Sequence, residues 1–294
     1  VRLEDNIIRK EYLYIILEYC PLGDLNKFYK KTAVKEKYVK HYARQIIDGL
    51  MYLSSKNIMH RDIKPHNILL KNIYTIKLTD FGFAKYYNNV DMTSTLCGSP
   101  IYMAPEIMKL KKYNYKADIW SVGVVLYELL YADYPFNAIN QFELVKVIEE
   151  NDVSYPDYPI ISDKCMLFIS TLLHKNPIKR ASFNDIIYHE WLYKCNDIIL
   201  ETNMLPEELY EEFTINTRPD SFSSSFNECS NNDEEIFQFD NDDEDINNLT
   251  SANSKESDDM ITQEYVMVNE NTKTIALTYS LYDIYHQYID NYFS

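Results

Sequence analysis

His60-Arg61-Asp62-Ile63-Lys64-Pro65-His66-Asn67 is the stretch on which the reading of this chain turns. It places a carboxylate, an ammonium and an amide within six residues, from Asp62 to Asn67. Just before it, Val39 to Leu53 spaces its apolar residues at three and four, which predicts a buried amphipathic helix. Just after it, the short apolar runs Ile68–Leu70 and Ile76–Leu78 flank a polar turn, which predicts a small hairpin. Eighteen residues beyond Asp62 comes Asp80-Phe81-Gly82, then Gly98-Ser99-Pro100, then Ala104-Pro105-Glu106.

Farther out, Tyr12 to Leu17 is β-branched and aromatic and reads as a strand, with Val1 to Ile8 as its hairpin partner. Ile119 to Leu130 is apolar on all sides, as expected of a helix inside a core. Glu128 interrupts that apolar stretch, which is in any case too short to span a bilayer, and no signal peptide is visible. From Gln141 onward helical patterns alternate with polar connections. Trp120 and Trp191 read most simply as core residues.

The 294 residues are 46% hydrophobic, which excludes wholesale disorder. A net charge of −16, from 29 basic and 45 acidic residues, argues against nucleic-acid binding. The five cysteines are spread singly, so they read as free thiols in a reducing, intracellular and cytoplasmic setting. Composition breaks near residue 196. Residues 1–195 carry 26 basic and 22 acidic side chains, and residues 196–294 carry 3 and 23. All five glycines lie in the first part. The second part reads as an acidic, mostly disordered tail. Residues 276–293 repeat apolar side chains at three and four, which predicts an amphipathic helix. That helix either docks a partner or packs back on the folded body, or it simply ends a disordered tail.

The octapeptide, Asp80-Phe81-Gly82 and Ala104-Pro105-Glu106, in this order, resemble the eukaryotic protein kinases, whose catalytic loop, magnesium loop and activation-segment end carry these residues. The resemblance covers roughly residues 1–195. It implies an α+β fold: a mainly helical large lobe (25–195), a hinge (19–24) and a small-lobe remnant of about two strands (1–18). The implied activity is transfer of the ATP γ-phosphate to protein Ser/Thr hydroxyls, under activation-loop control. Asp62 would orient the attacking hydroxyl, and Lys64 would neutralise the γ-phosphate. Asn67 and Asp80 would hold Mg²⁺ through hard oxygen ligands. Lys64, two residues after Asp62, is where members acting on Ser or Thr place it.

The same resemblance implies that Leu17 is the gatekeeper, that Glu18-Tyr19-Cys20 is the hinge whose backbone would hydrogen-bond adenine, and that Leu69 covers the base. Asp24 is either a ribose contact or a helix N-cap. Glu106 and Arg180 would form a buried ion pair, and Asp118 would clamp the catalytic-loop backbone. Arg61 would receive a phosphate placed on Thr95, unless Thr93 to Thr95 are merely solvated loop residues. Ser99 would contact Asp62 and Lys64. Leu3, His60 and Phe81 would stack. Within the kinases the resemblance is to the autophagy-initiating serine/threonine kinases, and Glu264-Tyr265-Val266-Met267-Val268 is similar to a hydrophobic patch they carry beyond the catalytic domain.

One departure stands against these expectations. The match begins in mid-domain, and no glycine precedes Gly23, so a glycine-rich phosphate loop and the ATP-binding Lys are missing from this sequence. The expectation is therefore a weak or inactive kinase as the chain stands. The alternative is a truncated pseudokinase, or an interaction scaffold engaging a partner protein through its acidic tail.

Overall fold

The computed structural model describes residues 1–9, 12–29, 32–87, 98–193, 264–269 and 274–280. The chain enters as a hairpin. β1 (Leu3–Arg9) pairs antiparallel with β2 (Tyr12–Glu18), with Leu3 opposite Leu17. Charged residues in β1, among them Glu4 and Asp5, fit an outer strand, where they discourage further pairing.

Beyond β2 the backbone turns through Cys20–Gly23 and is fastened to a second hairpin. Gly23 donates its amide to Cys20 O at 3.1 Å and takes φ +69°, a conformation that suits glycine. Leu70 N then donates to Gly23 O at 2.8 Å, and Leu22 N to Leu70 O at 3.3 Å. These bonds zip the turn to β4 (Ile68–Asn72), which pairs with β5 (Thr75–Leu78) as its apolar runs predict. α1 (Leu25–Tyr29) follows, and the Asp24 carboxylate accepts from Lys27 N at 2.8 Å as its cap.

The helical body is built on two long helices. α2 (Glu36–Ser55) buries Val39, Tyr42, Ala43, Ile46, Ile47 and Leu50, the spacing read from the sequence. α4 (Lys116–Tyr131) is buried on nearly every side. Gly123 allows its close packing, since a Cβ there would come within 2.7 Å of Leu173 Cδ2. α3 (Pro105–Met108) precedes α4, and α5 (Gln141–Glu150), α6 (Asp163–Leu172), α7 (Phe183–Ile187) and α8 (Glu190–Tyr193) complete the body. Ser182 and Asp185 form a capping box at the start of α7. Trp120 and Trp191 are both in the core, and Trp191 Nε1 donates to Glu36 Oε1 at 2.8 Å. Cys20 and Cys165 are free and buried, and burial pushes both thiols up. No helix among the described residues is long and apolar enough to cross a membrane.

Two findings concern the tail. Most of it, including the segment expected to be disordered, lies outside the described residues. The described parts form β7 (Glu264–Asn269) and β8 (Thr274–Ser280), and the sheet order is β1-β2-β8-β7. Residues 276–280 are thus strand and not the start of a helix, which corrects the amphipathic reading of 276–293. The β-branched Thr274, Ile275 and Thr278 favour extended backbone, and β2 supplies the ladder. Residues 281–293 lie outside the described residues.

Candidate active site

The catalytic segment is suspended between α2 and a 3₁₀ turn (Pro65–Asn67). β3 (Ile58–Met59) leads into it, paired with β6 (Lys85–Tyr86). Asp118, in the first turn of α4, clamps its backbone. Its Oδ2 accepts from His60 N at 2.9 Å and its Oδ1 from Arg61 N at 2.8 Å. Burial pushes the Asp118 carboxyl up, and the neighbouring His60 opposes that shift. The clamp holds Arg61 at φ +70°, a strained value for a side-chain-bearing residue. The next residue, Asp62, is 3% exposed.

Around Asp62 the polar groups converge. Lys64 Nζ lies 2.8 Å from Asp62 Oδ2 and donates to Ser99 Oγ at 3.0 Å. Asn67 Nδ2 donates to both Asp62 Oδ2 and Asp62 O at 2.9 Å. Ser99 donates to Asp62 Oδ1 from its amide at 3.1 Å and from its hydroxyl at 3.3 Å. The expected contact of Ser99 with Asp62 and Lys64 is therefore present. Gly98 makes the approach possible at φ +97°, where a Cβ would meet Arg61 O at 2.6 Å.

Asp80 is brought beside Asn67 by the backbone. Thr79 N donates to Asn67 O at 3.1 Å, and Asp80 then turns at φ +59°. His60 Nε2 pairs with Thr79 O at 3.0 Å, and the His60 ring packs on Phe81 with centroids 5.0 Å apart. Leu3 is 55% exposed.

Part of this cluster lines a cavity of about 760 Å³. Lys64, Asn67, Asp80 and Ser99 line it together with Leu17, Tyr19, Cys20, Asp24 and Leu69. Asp24 is both a cap and a lining residue, so its two readings do not compete. Lys27, Thr79, Tyr102 and Tyr134 also line the cavity, and sequence reasoning missed them. Lys27 follows Asp24 at helical spacing, which is the one signal that would have found it. Tyr102 donates to Glu128 Oε2 at 2.7 Å, which accounts for the acid in the otherwise apolar α4.

Glu18 is not among the residues that line the cavity. Its carboxylate is held by Lys71 Nζ at 2.7 Å and Lys77 Nζ at 3.4 Å, and its amide donates to Arg2 O. The sequence does not reveal this, because both lysines come from a hairpin more than fifty residues away. The Lys71 hydrogen bond, with Lys77 behind it, holds the Glu18 carboxyl down at about 2. A depressed carboxyl stabilises the fold above its unfolded value, and that contribution is lost as pH falls toward the folded one. Stability should therefore decline between about pH 4.5 and 2. A Glu18→Gln variant, weaker at neutral pH by about 1 kcal/mol, should lack that part of the decline in urea titrations.

Arg61 is already engaged. Its Nε donates to Phe83 O at 2.5 Å and its Nη1 to the Tyr113 hydroxyl at 3.3 Å. Thr95 lies outside the described residues, so no phosphate contact is drawn. Glu106 and Arg180 form the expected buried pair, with Nη1–Oε1 at 2.6 Å and Nη2–Oε2 at 2.9 Å.

A cation is implied by this constellation, and the donors fit one. Asn67 turns its amide nitrogen to Asp62, which leaves its oxygen on the other side, and Asp80 supplies a carboxylate to the same cavity. One carboxylate and one amide oxygen suit a hard ion that keeps waters and substrate phosphates as its other ligands. Among the described residues no cluster of three or more His, Cys, Asp or Glu offers a self-sufficient metal site.

Residues 1–192 match the family model for the protein kinase domain. The chain belongs to the protein kinase family. Its relatives include the serine/threonine-protein kinase ATG1b of Arabidopsis thaliana, 39% identical over 198 residues, covering 65% of this chain and 28% of that protein. The serine/threonine-protein kinase ATG1 of Debaryomyces hansenii is 33% identical over 246 residues, covering 68% and 28%. That of Pichia angusta is 32% identical over 257 residues, covering 71% and 32%. The chain thus spans about a third or less of the length of these kinases. The autophagy-kinase resemblance read from the motifs agrees with these names.

Proposed function

We propose that the chain is a protein serine/threonine kinase that moves the γ-phosphoryl group of ATP to a protein hydroxyl. The observation that carries the reading is the meeting of Asp62, Lys64 and Asn67 within hydrogen-bond distance, with Lys64, Asn67 and Asp80 lining one cavity. Phosphoryl transfer needs little covalent assistance; it needs alignment and charge stabilisation. A magnesium ion held by Asn67 and Asp80 would supply neutralisation of the phosphate oxygens.

The chain's own groups do the rest. Asp62, with its Oδ2 shared between Lys64 and Asn67 and its Oδ1 taken by Ser99, is fixed in direction. It orients the incoming hydroxyl and accepts its hydrogen bond. Lys64 bridges Asp62 and Ser99 and meets the charge on the transferred group. The adenine lies between Leu17 and Leu69 against the hinge at Tyr19 and Cys20, with the ribose near Asp24. Residues 1–18, 19–24 and 25–195 act as small-lobe strands, hinge and large lobe. Phosphorylation of the activation segment at Thr95, read by Arg61, would regulate it.

Lys64 supports the Ser/Thr assignment, since it stands two residues after Asp62, where the kinases acting on Ser or Thr that this chain resembles place it. The test is acceptor identity. Given Mg²⁺ and labelled ATP, whatever label the chain transfers, weak as that transfer is expected to be, should fall on peptides presenting Ser or Thr and not on Tyr-only versions. Label on Tyr alone would overturn the assignment.

A further inference from the structure

Two side chains that line the cavity have no task in the chemistry above. Lys27 extends from α1, and its side chain is 81% exposed. His66 belongs to the 3₁₀ turn between Lys64 and Ile68, and it too is exposed. α1 packs on that turn, so the two come from neighbouring elements. The acids around them are already engaged. Asp24 caps α1 through Lys27 N at 2.8 Å and stands 3.8 Å from Lys27 Nζ, a separation that holds the ammonium only loosely. Asp80 Oδ1 accepts from Gly82 N at 3.2 Å, and Glu128 accepts from Tyr102. His66 makes no hydrogen bond or ion pair among the described residues. The wall that carries Lys64, Asn67 and Ser99 thus also offers an ammonium and an imidazole N–H to a side chain lying beside the entering hydroxyl. Both suit a carboxylate, whereas a basic side chain there would meet Lys27 and Lys64 with repulsion. The chain's own sequence contains an acceptor of that kind. Ser257 follows Glu256 and precedes Asp258 and Asp259.

We infer that Lys27 and His66 are specificity-determining residues, which favour acceptors that carry an acidic side chain next to the Ser or Thr. This rests on the function proposed above and names the acceptor class for the same site.

Competition between peptides tests it in the full chain. The probe is a peptide with the sequence of residues 255–261, whose one hydroxyl is that of Ser257. It is mixed in one tube with its Asp258→Asn, Asp259→Asn version, and labelled ATP and Mg²⁺ are added. The ratio of labelled products then reports relative kcat/KM however slow the transfer is, and the chain's own tail competes equally with both peptides. The acidic peptide should lead about fivefold, the weight of one exposed ion pair. The double variant Lys27→Ala, His66→Ala should bring that ratio to about one. Lys27→Glu should reverse the order when the rival peptide carries Asp258→Lys and Asp259→Lys. Equal labelling by the unsubstituted chain would overturn the inference, and so would a ratio that the double variant leaves unchanged or an order that Lys27→Glu does not reverse. Both side chains are exposed, so the variants should keep the urea unfolding midpoint. Should no peptide be labelled, the transfer proposed above fails. Fluorescence anisotropy of dye-tagged peptides with Mg²⁺–ADP then judges the preference by the same ratios in affinity.

Discussion

Asp62→Asn is expected to slow phosphate transfer to a protein hydroxyl about 10²- to 10⁴-fold, the range associated with loss of a general base or orienting carboxylate. The substitution keeps the side chain's shape, so Oδ1 can still accept from Ser99. What it destroys is the charge, and with it the Oδ2 position. That atom now takes Lys64 at 2.8 Å and the Asn67 amide at 2.9 Å. An amide nitrogen placed there would face two donors, and a flipped amide would face Ser99 N instead. Either way the hydroxyl loses its acceptor while Asn67 and Asp80 keep theirs. Initial rates should therefore fall while Mg²⁺–ADP binding persists. Equal rates for the two proteins would remove Asp62 from the mechanism.

Arg180→Ala is expected to cost about 3–5 kcal/mol of stability, as breaking a buried ion pair on one side does. Arg180 is 1% exposed and Glu106 5%. The guanidinium makes two parallel bonds to the carboxylate, and its Nη1 and Nε also donate to Lys116 O at 2.7 Å and His174 O at 3.0 Å. It lies over the Trp120 ring at 5.2 Å. Removing it strands a charge in the core and takes a donor from two carbonyls. The double variant Arg180→Met with Glu106→Leu should recover part of the loss, since no lone charge remains. Urea unfolding midpoints measure both. A loss below about 1 kcal/mol for Arg180→Ala would mean that the pair is solvated and not structural.

Much of the site was legible in the sequence because its chemistry fixes spacing. Asp62, Lys64 and Asn67 sit on one short segment, and Asp80 follows a hairpin whose length the apolar runs already showed. Asp118 and the Glu106–Arg180 pair were legible through the kinase resemblance, which encodes long-range partners that composition does not. The rest depended on tertiary contacts. The Glu18 carboxylate is held by Lys71 and Lys77, residues of β4 and β5 that no local pattern links to it. Arg61 is occupied by Phe83 O and Tyr113. The 276–293 segment carried a helical repeat in Leu277, Leu281 and Ile284, yet its first residues are strand, because pairing with β2 outweighs a weak local period.

The central claim is that Asp80 and Asn67 bind a metal-bound nucleotide beside Asp62. The most direct measurement is equilibrium binding of ADP with and without Mg²⁺, by the full chain and by its Asp80→Asn variant. The expected result is an affinity that rises with Mg²⁺ in the unsubstituted chain and is indifferent to it in Asp80→Asn. The same Mg²⁺ response in both proteins would contradict the claim.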